Sequence, residues 1–175
     1  MKHKIVTYFF VGGAAVLAGS PVVMSFLERW EGSNQYVVYA DELAGGLPTV
    51  CKGITKHTSP YPVVVGERWS KAKCDEVEQH VVLETQRALQ QCVNVAVPQS
   101  VFDALTDHAH NVGWPSTCAS QSVKAINSGE LERGCELLAY KPDGTPNWSH
   151  AGGRYIQGLH NRRKAERELC LSDLQ

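Results

Sequence analysis

The first feature of the hydrophobic pattern is a long uncharged run near the N-terminus. Residues 5–27 read IVTYFFVGGAAVLAGSPVVMSFL and contain no charged side chain. As a helix this run would be about 35 Å long, enough to cross the hydrocarbon core of a bilayer. Lys2 and Lys4 precede it, so the positive-inside rule keeps the N-terminus in the cytoplasm and exports the rest. The pattern predicts a membrane-spanning segment over residues 1–27 and an exported domain over residues 28–175.

This span is expected to hold the membrane weakly. Small residues fill most of positions 12–21, and small side chains bury little apolar area in lipid. Two other interpretations stay open. The run could be a signal peptide cleaved after Ala18-Gly19-Ser20, although Pro21 is a poor residue to follow a cut. It could also be a buried core helix.

Beyond the run, the pattern changes to strands and then to helices. Residues 25–31 predict a helix that ends at Gly32, and residues 35–56, rich in Tyr, Val and Thr, predict a small β region. Apolar residues then recur at helical spacing. Five further helices are expected. They cover residues from about 70 to before 98, residues 101–112, a short stretch that ends near residue 129, residues 131–138, and residues from about 155 to 171. The predicted fold class is α+β, with a small β lobe and a larger helical lobe.

Charge and cysteine content narrow the class of protein. A formal net charge of −1 argues against non-specific nucleic-acid binding, which requires a strongly basic surface. The six cysteines form no CxxC pair and have no zinc-finger spacing, so they favour disulfides made in an oxidising compartment over structural zinc. We therefore expect no structural zinc site and no nucleic-acid partner. Spacing alone leaves the cysteine pairing open.

Two carboxylates just after the apolar run are candidates for acid–base chemistry. Glycosidic bond cleavage needs a proton donor at the leaving oxygen and a second group that places water on the other face of the sugar. Glu31 follows a predicted helix, where burial would keep it protonated, and Asp41 on a more open strand would stay ionised. Thr49 could help to hold the water. Spacing alone, however, is more typical of solvated surface carboxylates.

The order of several motifs resembles that of the phage-type lysozymes, the endolysins that cut bacterial peptidoglycan. These motifs are WEG, YAD and PTVCKG, then ALTDHAHNVG, and finally AGGRYIQGLHNRRKAERELCL. The resemblance runs from about Phe26 to Cys170 and implies a lysozyme-like fold. It implies that Glu31 is the general acid, that Asp41 orients or activates water, and that Thr49 assists. The implied reaction is hydrolysis of the β-1,4 bond between N-acetylmuramic acid and N-acetylglucosamine, which needs no metal or organic cofactor. Two separate residues that position water suggest inversion.

The sequence departs from this family's usual pattern near the site. The spacings from Glu31 to Asp41 and from Asp41 to Thr49 are longer than is usual, and Ile54 stands where a histidine often occurs. A one-residue shift in a strand turns a side chain to the other face, which makes Glu42 the nearest substitute for Asp41. The local Tyr-x-Asp pattern favours Asp41.

The resemblance implies further contacts outside this stretch. Asn111 would line the saccharide cleft, with a structural turn cap as the alternative. The implied disulfides are Cys51–Cys74, Cys92–Cys118 and Cys135–Cys170. A basic cluster on the last predicted helix is expected to form a solvated face with ion pairs. This cluster consists of Arg162, Arg163, Lys164 and Arg167.

The leader resembles that of the signal-arrest-release branch, in which a weak span exports the enzyme and tethers it until it escapes. Val22, Val23, Phe26 and Leu27 would be needed both in lipid and in the helix before Glu31, so tethering would hold the enzyme inactive. We expect a monomeric lysozyme that acts on peptidoglycan, first tethered to the inner membrane and then soluble in the periplasm, where it causes host cell lysis. A lytic transglycosylase and a catalytically inactive, membrane-anchored peptidoglycan-binding protein stay open as alternatives.

Overall fold

The chain divides into two compact units. A computed structural model describes residues 7–30, 35–42 and 45–174. One unit, Ser25–Glu84, is called the β unit below, and the other, Met1–Met24 with Thr85–Gln175, is called the helical unit. The described residues form seven helices and seven short strands, which agrees with the predicted α+β class.

The β unit contains a three-stranded antiparallel sheet with β4 in the centre. Its elements are the second part of α1 (Pro21–Trp30), β3 (Gln35–Asp41), β4 (Leu47–Cys51), β5 (Ile54–Thr55) and the first part of α2 (Lys71–Gln90). Buried side chains from the sheet and from α2 form one core, with Val38, Val50, Trp69 and Val77 at its centre. The β region predicted over residues 35–56 is therefore confirmed.

The helical unit contains the rest of the helices and two short hairpins. Its elements are β1 (Tyr8–Val11), β2 (Ala14–Leu17), α3 (Gln99–Val112), α4 (Trp114–Cys118), α5 (Gln121–Asn127), α6 (Leu131–Ala139), β6 (His150–Ala151), β7 (Arg154–Tyr155) and α7 (Gln157–Leu171). α3 ends as predicted, because Gly113 has a φ of 87° and donates its N–H to the carbonyl of Ala109.

Helix α3 is the central helix of this unit. It packs against α4, α6 and α7, and all ten residues from 100 to 109 are buried. A helix that is buried on every side must find partners for any polar side chain that it carries. Asp103, Asp107 and His108 are such side chains, and their partners organise two of the features described below.

Three disulfides cross-link the chain, each within one of the two units. Cys51–Cys74 lies in the β unit, and Cys92–Cys118 and Cys135–Cys170 lie in the helical unit. They are the three pairs that the family resemblance implies. Each closes a loop of 23 to 35 residues, which restricts the unfolded chain and contributes about 3 to 4 kcal/mol in the chain-entropy model.

The described part of the predicted membrane span has a different structure from the one expected. Residues 8–17 form the antiparallel hairpin β1–β2, and α1 begins only at Pro21. Among the described residues, no helix is long and apolar enough to cross a membrane. The hairpin turn is Gly12-Gly13, with φ of 54° and 91°, a conformation that glycine adopts at little cost. Alternate side chains, Phe9 and Val11, are buried in the helical unit.

Polar side chains of α2 and α3 hold the hairpin and the chain after it. Gln99 forms two hydrogen bonds with the backbone of Leu17, accepting from its N–H at 2.6 Å and donating to its carbonyl at 3.2 Å. Gln86 accepts from the N–H of Gly19 at 2.9 Å. These bonds satisfy backbone groups that would otherwise be buried without partners. The segment is therefore an integral part of the helical unit in this state.

Asp103 completes these contacts and makes them sensitive to pH. Its carboxylate accepts hydrogen bonds from Ser20 Oγ at 2.6 Å and from Gln99 Nε2 at 2.8 Å. Burial, together with a smaller effect of the nearby Asp173 carboxylate, nevertheless raises the pKa of Asp103 from 3.8 to about 6. The pKa of Asp103 is therefore higher in the folded state than in the unfolded state. At pH values between these two pKa values, Asp103 binds a proton when the chain folds.

The free energy of unfolding should therefore fall as pH rises from about 4 to 6, by about 3 kcal/mol from this group. We expect Asp103→Asn to flatten this part of the profile. Urea unfolding of both proteins at pH 4, 5, 6 and 7 measures the effect. A parental slope retained in Asp103→Asn would show that other groups cause it.

Candidate active site

Glu31, the expected general acid, lies outside the described residues. The described part of α1 ends at Trp30, directly before it. Val23 and Leu27 are buried on this helix, whereas Val22 is 49% exposed. Of the apolar residues assigned to the helix core from the sequence, Val22 is thus on the solvent side.

Asp41 and Thr49 lie on the same face of the sheet. In the antiparallel pair of β3 and β4, Asp41 is opposite Leu47 and Tyr39 is opposite Thr49. Opposite residues share a face, and so do residues two apart along a strand. Asp41 and Thr49 are therefore diagonal neighbours, at a Cβ separation of roughly 7 Å. Glu42 follows the strand and begins the turn, where its carbonyl accepts from Gly45 N–H.

The longer spacings in this stretch coincide with irregular structure. The register of β3 against β4 shifts between Gln35 and Tyr39, which is within the interval from Glu31 to Asp41. The interval from Asp41 to Thr49 contains the turn closed by the hydrogen bond from Gly46 N–H to the Asp41 carbonyl, 2.7 Å long. Bulges and turns absorb extra residues without moving the flanking strand pairs out of register.

Thr49 can act on water only as an acceptor in this conformation. The residue is buried, and its Oγ1 donates its hydrogen to the Leu47 carbonyl at 3.0 Å. A hydroxyl has one hydrogen and two lone pairs, so the lone pairs remain available. A water near Thr49 would thus donate one hydrogen to Oγ1 and keep another for a base.

Asn111 lies in the helical unit, in the last turn of α3, and is exposed. Its Oδ1 accepts a hydrogen bond from Arg163 Nη2 at 3.0 Å. One turn earlier, Asp107 binds Arg162 through two hydrogen bonds of 2.7 and 2.9 Å. Two successive arginines of α7 therefore hold two successive turns of α3.

The prediction of a solvated basic face on α7 is wrong for Arg162 and Arg163, because both are buried. Glu166, also buried, contacts both guanidinium groups. Arg162 and Glu166 form an ion pair at i,i+4 spacing, but the pair faces α3 instead of water. No periodic signal marked this pairing, because Arg162 and Arg163 are adjacent on α7 whereas their partners Asp107 and Asn111 are four residues apart on α3.

Burial dominates the electrostatics of this cluster. It raises the pKa of Glu166 well above its usual value and lowers the pKa of Arg163, although the contact between the two groups opposes both changes. His108 is fully buried beside them. Burial and the two arginines lower its pKa, so His108 is neutral, with Nδ1 2.9 Å from Thr117 Oγ1.

A cavity of about 760 Å³ opens beside α5 in the helical unit. Its lining combines two ammonium groups, one carboxylate, several uncharged hydrogen-bonding groups and one indole. These belong to Lys124, Lys141, Asp143, Ser116, Ser120, Gln121, Asn147 and Trp148. Such a lining suits a ligand that carries charged and hydrogen-bonding groups. Within the described ranges, no three histidine, cysteine or acidic side chains are placed to hold a metal ion.

Comparison with known proteins finds phage proteins that match most of this chain. The family model described as Phage lysozyme matches residues 28–166. A protein of Enterobacteria phage P21 described as SAR-endolysin is 29% identical over 163 residues, which cover 92% of this chain and 90% of that protein. Another SAR-endolysin, of Bacteriophage PS119, is 28% identical over 164 residues, or 90% of each chain.

Solved structures show the same fold at lower sequence identity. A mutant of P22 lysozyme has a TM-score of 0.72 at 24% identity and covers 87% of this chain and 97% of its own. The active form of the P1 phage endolysin Lyz has a TM-score of 0.71 at 23% identity, covering 89% and 86%. The fold is lysozyme-like, and because the family match spans most of the sequence, the chain belongs to the phage lysozyme family.

Proposed function

We propose that the protein is an endolysin that hydrolyses the β-1,4 bond between N-acetylmuramic acid and N-acetylglucosamine in bacterial peptidoglycan and thereby lyses the host cell. The family match over residues 28–166 carries this proposal, because it includes every residue of the expected site. The shared face of Asp41 and Thr49 supports it, since two groups that handle one water must lie close together.

In the proposed reaction, Glu31 gives its proton to the leaving oxygen while the glycosidic bond breaks. Water attacks the anomeric carbon from the opposite face and loses a proton to Asp41. Thr49 Oγ1 accepts a hydrogen bond from the same water and so limits its orientations. Attack by water in a single displacement inverts the anomeric configuration.

The cavity beside α5 is proposed to take part of the substrate. Peptidoglycan carries short peptides with free carboxylates on its muramic acid residues. The ammonium groups of Lys124 and Lys141 and the single carboxylate of Asp143 line the cavity, so the net charge of the lining favours carboxylates. The substrate in this proposal is therefore the peptide-bearing polymer, not only its sugars.

The N-terminal segment is proposed to act as a releasable anchor. Residues 1–27 would tether the exported enzyme to the inner membrane, and residues 28–175 would form the lysozyme domain. In the structure, residues 8–17 pack into the helical unit, an arrangement called the docked state below. Phe9, Val11 and Val16 are buried there, and the same side chains cannot occupy lipid at the same time. Tethering would leave their sites empty and would leave Gln86, Gln99 and Asp103 without the partners described above. The tethered enzyme would thus be inactive, and release would activate it in the periplasm.

The chemistry of the products tests the reaction. We expect mass spectrometry of muropeptides from purified walls to show reducing N-acetylmuramic acid ends, because water is the nucleophile. A lytic transglycosylase would give anhydro ends, each lighter by one water. An inactive wall-binding protein would give no new ends while still sedimenting with the walls. Either of these last two results would contradict the proposal.

A further inference from the structure

The docked hairpin β1–β2 has an apolar face that points away from the helical unit. In its antiparallel register, Tyr8 is opposite Leu17 and Phe10 is opposite Ala15. Opposite residues share a face of a hairpin, and so do residues two apart along a strand. These four side chains therefore form one cluster, called the outer face below. Tyr8 is 55% exposed and Phe10 is 64% exposed.

The outer face differs from the usual surface of a hairpin. An antiparallel pair that buries one face normally carries polar or charged side chains on the other. Of the four side chains here, only that of Tyr8 has a polar atom. The rings of Tyr8 and Phe10 follow each other along β1 at a spacing of about 7 Å. Clustered apolar side chains on a protein surface are typical of a contact surface.

The backbone groups beside the outer face are paired. The carbonyl of Phe10 accepts a hydrogen bond from Gln90 Nε2 at 2.9 Å. Gln99 binds both the N–H and the carbonyl of Leu17, as described above. Unpaired backbone groups would favour contact with water, because removing them from water costs free energy. With these groups paired, the outer face can leave water at a low cost in hydrogen bonds.

The charges near the hairpin in the sequence indicate the kind of partner. No acidic residue occurs before Glu28, whereas Lys2 and Lys4 precede Tyr8 by six and four residues. Even a fully extended chain keeps both lysines within about 22 Å of Tyr8. Aromatic rings are enriched at the headgroup level of membranes, and lysines near the surface are attracted to anionic lipid. The combination favours an anionic lipid surface.

We propose that the outer face binds the headgroup region of an anionic phospholipid bilayer while the hairpin stays docked, with Lys2 and Lys4 near the lipid phosphates. This contact differs from the proposed anchor, because the hairpin stays folded against the protein and no segment crosses the bilayer. It is also independent of the proposed reaction. The enzyme would thus remain at the membrane surface after its release.

Cosedimentation of the purified full-length protein with lipid vesicles tests this contact. We expect binding to vesicles of phosphatidylcholine and phosphatidylglycerol to be about 25-fold tighter than to phosphatidylcholine alone, since each lysine contributes about fivefold near an anionic surface. Salt at about 0.5 M should release the bound protein, because it screens the charges. A helix inserted across the bilayer would instead stay in the pellet.

Phe10→Ser tests the outer face itself. The change removes an exposed ring, so binding to both kinds of vesicle should weaken about tenfold while the unfolding midpoint stays near the parental value. Tyr8→Ser is a second variant of the same face and should act in the same direction. Trp114→Ser is the matched control, because Trp114 is another aromatic residue of the helical unit and is 50% exposed. It should leave binding within about twofold of the parent.

A pair of lysine variants tests the contribution of charge. Lys2→Gln combined with Lys4→Gln should abolish the preference for anionic vesicles and leave binding to phosphatidylcholine unchanged. Lys56→Gln combined with Lys71→Gln makes the same change in net charge at exposed residues of the β unit. This control should keep the preference, since the expected contact is local to the hairpin.

Three results would overturn the inference. These are a parent that does not sediment with anionic vesicles, bound protein that salt does not release, and equal losses of binding in Phe10→Ser and Trp114→Ser. None of them concerns wall hydrolysis, which is measured without vesicles. The membrane contact and the proposed function therefore fail separately.

Discussion

Glu31→Gln should lower the initial rate of cell-wall hydrolysis by about 10²- to 10⁴-fold, because the leaving oxygen then has no proton donor. Glutamine has nearly the same shape as a protonated glutamic acid, so binding and folding should change little. The rate is measured as the fall in turbidity of purified walls. The unfolding midpoint of the same preparations reports whether the fold is intact.

Glu28→Gln is the matched control for this change. Glu28 is exposed on α1, three residues before Glu31, and has the same side chain. Its replacement should leave the rate within about twofold of the parent, as expected for a surface substitution. Near-parental activity in Glu31→Gln, or an equal loss in Glu28→Gln, would exclude Glu31 as the general acid.

Gly12→Ala should keep more of the protein in the membrane and delay lysis. In the docked hairpin, an added Cβ at Gly12 would lie 1.8 Å from the Val95 carbonyl carbon and 2.1 Å from the Ala96 nitrogen. Backbone atoms cannot yield as a flexible side chain does, so docking should lose at least about 1 to 3 kcal/mol. In a membrane helix the same change is favourable, since alanine exceeds glycine by about 1 kcal/mol in helix propensity. Together these effects, about 2 to 4 kcal/mol, predict a roughly 30- to 900-fold shift toward the tethered form.

Gly13→Ala separates the clash from the general effect of alanine. Gly13 also has positive φ, 91°, but a Cβ there meets no atom within 4 Å. Both variants gain the same helix propensity in lipid, and both strain the turn. The membrane fraction after induction in host cells, together with the time to lysis, compares them. Equal membrane fractions for the two variants would show that the close approach of Gly12 to Val95 does not control docking.

Hydrophobic periodicity predicted most of the helices correctly. Helix α2 begins where predicted but ends at Gln90, earlier than the expected end before residue 98, and α3 ends at Gly113 as its sequence indicates. The period is strong there because one face of each helix is apolar over several turns. α4 was missed, since five residues with Pro115 in the first turn are too few to show a period.

The residues of the candidate site were predicted less completely than the helices. The family motif identified Glu31, Asp41 and Thr49 as candidates, and their roles stay proposals. What periodicity could not indicate is which charged side chains of α7 are buried. Arg162 and Arg163 read as solvent-facing because charged residues are usually exposed. Their burial depends on Asp107, Asn111 and Glu166, and pairing across helices leaves only a faint mark in a sequence.

The N-terminal segment shows which features follow from the sequence alone and which depend on the tertiary structure. By itself the sequence determined that residues 5–27 are uncharged and have small side chains over most of positions 12–21, so the segment is suited to leaving water but is weakly held by lipid. Tertiary structure decided the form taken in the docked state, because the hairpin is specified by groups distant in sequence: the backbone at Val95, and the side chains of Gln86, Gln99 and Asp103. A local pattern reports how much apolar surface a segment has, whereas the shape that receives this surface exists only after the chain has folded.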